Sequence, residues 1–334
     1  MYVESLSVGK DPSRPGLNED RIVCYGQSTF AVIDGETDKS GHLVQGRSGG
    51  WHAGWALESE LRALDDEGAL AHGQIEDILA RLSAAIGLAY ERFGVAAEAS
   101  ADPNRRFAAS MALAHITASS ARLVLVGDCG IRANEDRIWH RPHPLDAVMS
   151  RLRRLAFETL AELVPQLELE PRLELARAYT VDGLAVPPPQ AAGTAVESVH
   201  QVLADRVLAE LLERHAEHDS ELLRTLALGG LRGVAHLRGA GTPGSQGVLD
   251  GFGVDPELVQ EVLVETASIH SLELFTDGYF GWPEQGASVV AWEDHHAEVE
   301  RRDPHRVGPF PSTKGSRPGL FADDRSVIIV RKEP

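Results

Sequence analysis

The sequence predicts a mixed α+β protein whose strands share one acidic rim. Three observations lead there. Apolar β-type runs begin or end on carboxylates: Asn18-Glu19-Asp20 precedes residues 21–25, residues 29–33 run into Asp34-Gly35, residues 272–276 run into Asp277-Gly278, and Asp323-Asp324 opens residues 325–330. Two stretches between about 46 and 94 carry apolar residues at helical spacing. Residues 144–229 are rich in Leu, Ala, Glu and Arg and read as helical. Strands packed into one sheet bring their ends together, so carboxylates far apart in the chain meet at one edge. A chain of 334 residues with 43% hydrophobic content can fill one large sandwich around a sizeable core.

In chain order, residues 2–34 read as short strands. The segment from Gly46 to Asp66 contains a helix with Trp51, Gly54, Leu57, Leu61 and Leu64 on one face, and Trp51 and Trp55 are expected to anchor the core. A second helix over about 73–94 buries Ile75, Ile78, Leu79, Leu82 and Ile86. The strand from Phe107 to Thr117 has a small-residue face of Ala108, Ser110, Ala112 and Ala114, which permits close sheet packing. Residues 123–126 are apolar on both faces, as in a covered strand, and lead into Gly127-Asp128, repeating the strand-then-carboxylate layout. Asn134-Glu135-Asp136 turns a hairpin back through Arg137-Ile138-Trp139.

Residues 145–230 read as a helical insertion of about three helices within a single domain spanning 1–334. Val199, Leu203, Val207 and Leu211 step by four, and Pro187-Pro188-Pro189 ends any helix that approaches it. The nine glycines from Gly229 to Gly253 predict a long loop or flap; with no following Gly-Lys-Ser/Thr, it is not a P-loop. Residues 281–322 are expected to be mostly irregular around Pro304, Pro309, Pro311 and Pro318, with one short helix near 286–300.

A formal charge of −18 argues against nucleic acid and anionic membrane surfaces as partners, because their phosphates would be repelled. Two cysteines, Cys24 and Cys129, make neither a disulfide framework nor a zinc ribbon. The start, Met1-Tyr2-Val3-Glu4, is not a leader of basic then apolar residues, and no run approaches ~20 apolar residues, so a soluble cytoplasmic protein is expected.

A single strand-then-Asp-Gly step is ordinarily a turn. Several together, all oxygen donors, suit hard divalent cations such as Mg²⁺ or Mn²⁺ better than zinc. The paired histidines, His140/His143, His215/His218 and His295/His296, form no HExxH site, no third ligand is expected beside them, and they read as solvent-facing or capping residues. No Gly-x-Ser-x-Gly elbow indicates a serine hydrolase.

In order, Asn18-Glu19-Asp20, Asp34-Gly35, Gly127-Asp128, Thr276-Asp277-Gly278 and Asp323-Asp324-Arg325-Ser326-Val327 resemble the motifs of the metal-dependent protein phosphatases of type 2C, over about 1–140 and 230–332. The resemblance implies an αββα four-layer sandwich, two antiparallel sheets flanked by helices, with a mainly helical insertion. It implies hydrolysis of phosphoserine or phosphothreonine, in a phosphoprotein or a small phosphomonoester, by water activated between two Mg²⁺ or Mn²⁺ ions. Carried over by position, Asp34 bridges both ions and the Gly35 carbonyl ligates the second. Asp277 and Asp323 complete the first. Glu19 acts through water on the second ion, Asp20 holds metal-bound water, and Asp128 with Asp277 marks a third, weaker site. Arg14 is the phosphate-binding candidate, with Arg21, Lys39 and Arg47 as alternates. The family's histidine after Asp-Gly is replaced here by Glu36, which serves as an acid only with a raised pKa. Asp38 is an extra outer carboxylate or a loop residue, and Cys129 reads as a small buried residue. The alternative is a non-catalytic, phosphatase-like module that uses the insertion as a partner surface; retention of every acidic position favours the enzyme.

Overall fold

The structure is a computed structural model that describes residues 1–37, 39, 41–237 and 245–332, and among these residues ten strands form two antiparallel five-stranded sheets. The first runs in the order β1 (Tyr2–Val8), β10 (Arg325–Arg331), β9 (Ser271–Phe275), β6 (Gly130–Ala133), β7 (Arg137–His140). The second runs β2 (Arg21–Tyr25), β3 (Thr29–Gly35), β4 (Ala109–Ile116), β5 (Ser120–Val126), β8 (Gln260–Glu265).

The period of two along each strand builds the layers. Phe30 and Val32 of β3 meet Leu123 and Leu125 of β5 and Leu274 and Ile328 of the other sheet in a core between the sheets. Ala31 and Ile33 point the other way, into a core shared with α1 (Gly49–Asp66) and α3 (Ile75–Phe93) through Leu57, Leu61, Leu82 and Ile86. The short helices α2 (Ala69–His72) and α4 (Ala96–Ala101) complete that layer's connections. Ala112 and Ala114 lie between the sheets, where their size lets the backbones approach. On the far side, Trp292 of α9 (Val289–Arg302) covers Phe275, Val327 and Ile329. The result is the expected αββα sandwich. No helix among the described residues is long and apolar enough to cross a membrane.

The insertion forms four helices rather than three: α5 (Asp146–Leu163), α6 (Leu169–Asp182), α7 (Ala195–Arg214) and α8 (Ser220–Val234). They close on their own apolar core, which includes Leu152, Leu160, Tyr179, Leu203, Leu211 and Leu226. The glycine-rich stretch is not a flap from its start. Its first residues continue α8 to Val234, interrupted where Gly230 adopts φ 60° against the Gly183 backbone. Leu249 then bridges to Ala109, and 238–244 lie outside the described residues.

Two expectations about packing are corrected. Trp51 is only half-buried, with the Arg21 and Arg47 guanidiniums each 5.0 Å from its ring centre. Trp55 is exposed, with Arg92 at 5.0 Å. Periodicity identifies a helix face but not what covers it, and a cation over an indole stabilises the ring at a wet surface. Leu57, Leu61 and Leu64 anchor α1 instead. His296 does not face solvent: it is buried between Tyr279 and Phe321.

Candidate metal centre at the carboxylate rim

Close backbone approach builds the rim. A Cβ on Gly35 would lie 2.6 Å from the Gly50 carbonyl oxygen and 2.7 Å from that of Glu19, so only glycine lets the end of β3 nest against both. A Cβ on Gly278 would lie 1.9 Å from the Asp324 carbonyl oxygen, which locks the turn after β9 to the start of β10. Register does the rest: Gly35 pairs with Ala109, Met111 with Val126, and Phe275 with both Gly130 and Val327. Asp34, Asp128, Asp277 and Asp323 therefore emerge at the same edge.

Asp20, Asp34, Asp128, Asp277 and Asp323 are close enough to perturb one another. Burial, then the neighbouring charges of Asp20, Asp277, Asp323 and Asp128, pushes the Asp34 carboxyl well above the usual carboxylate range. Burial, Asp323 and Asp128 push Asp277 up to about 7, against the pull of Lys314 and a hydrogen bond with Asp34. Asp20 is buried and likewise raised, by burial first and then by Asp324. Its Oδ2 accepts a hydrogen bond from Thr276 Oγ1 at 3.0 Å, while its Oδ1 is buried without a partner. An orphaned carboxylate oxygen within a mutually repelling, all-oxygen set fits a hard cation, since burying such charge uncompensated is costly.

Two lysines also serve this charge. Lys10 Nζ bonds Glu19 Oε2, lies 3.3 Å from Asp324 Oδ2 and donates to Thr37 Oγ1 at 2.9 Å. Lys314 Nζ bonds Asp323 Oδ2. Burial works against both ammonium charges, but the surrounding carboxylates outweigh it and raise both pKa values. Burial likewise opposes the charge on Asp323, yet Lys314 and Lys10 hold its carboxyl below the usual range. Glu19 thus sits to one side of the Asp34 cluster, held by Lys10 and by Thr37 Oγ1 at 2.8 Å.

Asp34, Asp128, Asp277 and Lys314 line an inner cavity of about 280 Å³, together with Glu36, His140, Asp146 and Trp282. Glu36 pairs with Lys39 at 3.2 Å. Burial, with Asp128 and Asp277, pushes Asp146 up to about 8. Arg14 lies elsewhere, on an outer groove of about 490 Å³ lined also by Lys10, Lys314, and Glu174 and Arg177 of α6. Its guanidinium is largely exposed and paired with Asp11 through Nε at 2.6 Å. Lys39 and Lys314 line both spaces. Arg21 and Arg47, the other alternates, are engaged with Trp51 and with backbone carbonyls of Asp20 and Gly16. Asp38 lies outside the described residues. Cys129 is buried, and burial pushes its thiol pKa up.

Lys10, Lys314 and Asp146 were not singled out by the motifs. The one available signal is positional: each lysine precedes its carboxylate partner by nine residues. One expectation about histidines is corrected. Glu217 does supply a third donor beside His215 and His218, at 3.4 and 3.7 Å, on the partly exposed turn between α7 and α8.

No family model matches the chain, and no curated protein matches it. Several solved structures are similar. A bacterial serine phosphatase bearing a point mutation has 12% identity and a TM-score of 0.46, with 100% of this chain and 98% of that chain covered. The Mycobacterium tuberculosis serine/threonine phosphatase PstP/Ppp has 16% identity and a TM-score of 0.43, covering 100% and 99%. The serine/threonine phosphatase Stp1 from Staphylococcus aureus has 13% identity and a TM-score of 0.43, covering 100% and 96%.

Proposed function

We propose that the protein is a Mg²⁺- or Mn²⁺-dependent phosphatase acting on phosphoserine and phosphothreonine monoesters. The observation that supports this most is the gathering of five aspartates at one rim, three of them (Asp34, Asp128 and Asp277) lining the inner cavity, with Asp20 Oδ1 buried and unpartnered. Asp34 and the Gly35 carbonyl, with Asp277 and Asp323, are the proposed ligands of two ions. Glu19 and Asp20 would act through water, and Asp128 with Asp277 would form a third site. When bound, such ions supply an activated water and neutralise charge on the phosphoryl oxygens.

The remaining roles fall to the chain's own residues. The inner cavity takes the phosphoryl group and limits water around it. Arg14 is the proposed receiving cation at the outer groove, where a planar fork suits two phosphate oxygens. A leaving serine or threonine oxygen needs a proton. Glu36 and Asp146 are the two carboxyls proposed for that task, and burial with the charges of Asp128 and Asp277 pushes Asp146 up to about 8, where it holds a proton near pH 7.

A second reading is a non-catalytic binding module, favoured by one observation: Lys10 and Lys314 already occupy Glu19 and Asp323. Hydrolysis of a chromogenic phosphate monoester separates the two. The phosphatase reading expects turnover with Mn²⁺, none in EDTA, and loss of most of kcat in Asp34→Asn. Turnover that survives thorough chelation, or none under any metal, rejects it.

A further inference from the structure

Lys314 stands in a loop fixed from three sides. Arg153 of α5, buried in the insertion, sends Nη1 to the carbonyl oxygens of His305 at 2.7 Å, Arg306 at 3.0 Å and Ser312 at 3.2 Å. Ser316 N donates to the Pro304 carbonyl at 2.8 Å, and Ser316 Oγ donates to Glu300 Oε2 at 2.8 Å. A Cβ on Gly315 would lie 2.7 Å from Arg153 Nη2, so the loop lies directly on that guanidinium. The backbone is therefore held in place, and Lys314 reaches the rim from a set position.

Its contact there is specific. Asp323 Oδ1 accepts the Asp324 backbone N–H at 3.0 Å, and Oδ2 accepts the Lys314 ammonium. Asp277 and Asp34 also act on that ammonium. Oδ2, the oxygen that no backbone donor holds, is the one more open to a divalent cation, and Lys314 already holds it. The side chain has somewhere to go, because it borders both the inner cavity and the outer groove.

We infer that Lys314 is a built-in counter-cation of the rim, that it and a divalent cation compete for Asp323, and that the insertion sets this competition by holding the loop through Arg153. The inference rests on the divalent-cation reading of the rim but not on phosphate hydrolysis. In the metal-free protein the ammonium lowers repulsion among the aspartates. Binding of the full ion set moves it toward the groove.

Two measurements test this. Calorimetric titration of Mn²⁺ into the metal-free protein should show Lys314→Met binding about tenfold or more tightly than the parent, because a charge-assisted hydrogen bond no longer has to be given up. The same variant should melt at a lower temperature in EDTA. Equal or weaker Mn²⁺ affinity in Lys314→Met, or no Mn²⁺ uptake by either protein, overturns the inference. The second measurement needs no variant and covers the case in which Lys314→Met fails to fold. Amine acylation of the parent protein, read by mass spectrometry, should label Lys314 several-fold faster in saturating Mn²⁺ than in EDTA, with Lys332 as internal reference. Unchanged or slower labelling of Lys314 overturns it. A protein that passes both tests but hydrolyses no phosphomonoester fails the phosphatase reading alone.

Discussion

Replacing Asp277 with asparagine should stabilise the metal-free protein, and the gain should depend on pH in a defined direction. The carboxyl moves from an ordinary value of 3.8 to about 7 on folding, first through burial and then through Asp323 and Asp128. A carboxyl raised in the folded state contributes its stability fully below 3.8 and loses it as pH rises through about 7. At about 1.4 kcal/mol per pH unit, the ionised form costs at most roughly 4 kcal/mol at pH 8. Asparagine keeps the shape and a donor toward Asp34 but no charge, and burying its amide costs about 1–3 kcal/mol. A net gain of about 1–3 kcal/mol remains, or roughly 2–6 °C in Tm for a chain of this size. Melting both proteins in EDTA from pH 4 to pH 8 reads it: the curves should coincide or cross near pH 4 and separate as pH rises, with Asp277→Asn the more stable at pH 8. Mn²⁺ should raise the Tm of the parent and do much less for the variant. A variant less stable than the parent at pH 8 in EDTA would mean that Asp277 is an ordinary structural carboxylate, and the account of a repelling rim would be wrong.

Other outcomes follow from the same structure. Glu273→Gln breaks a fully buried fork in which Arg132 Nε and Nη2 reach the two carboxylate oxygens at 2.9 and 2.6 Å and Trp292 Nε1 adds a third bond at 2.7 Å; denaturant unfolding should show a loss of about 3–5 kcal/mol. Arg14→Ala should raise KM for a phosphomonoester more than it lowers kcat, whereas parent-like kinetics would move phosphate capture to another cation, with Lys39 the first to test. Replacing 145–228 by a short Gly/Ser linker removes helices that close on their own core, so the sandwich should still unfold cooperatively. Activity on a chromogenic phosphate, whose phenolate leaves without a proton from Asp146, should persist while discrimination among phosphopeptides falls, and loss of cooperative unfolding would show that the insertion is part of the core.

The rim was legible because strands announce themselves by period and carboxylates at their ends by charge. Phe30 and Val32 against Ala31 and Ile33 give the two faces of β3 directly, and Asp34 follows from the strand's end. What stayed hidden depended on partners far along the chain. Lys10 and Lys314 look like surface charges in irregular segments until Glu19 and Asp323 are placed beside them. The edge strand β8 has only Val262-Leu263-Val264 between Glu261 and Glu265, with Leu263 exposed, so its apolar signal is thin. Helix α8 reaches Gly229, breaks where Gly230 turns to φ 60° against the Gly183 backbone, and resumes to Val234, so two of the glycines read as loop serve a close helix contact instead. The Trp51 and Trp55 environments are set by arginines from other elements, which no local period reports.

The pairing of β1 with β10 has a bearing on biosynthesis. Tyr2 lies across from Arg331, and the Lys10 backbone N–H reaches Asp324 Oδ1 at 2.5 Å across 314 residues. Strand β1 therefore waits for β10, which follows all the other described strands in the chain, while β2, β3, β4 and β5 join neighbours already synthesised. During translation the second sheet and its helices have partners to fold against, but the first sheet has an open seat between β1 and β9. Contacts this distant in sequence make for slow closure. Until residue 331 is available, β1 and β9 offer unpaired edges, which are the surfaces most prone to self-association. A chain terminated before β10 would keep both edges open and leave the centre half-formed.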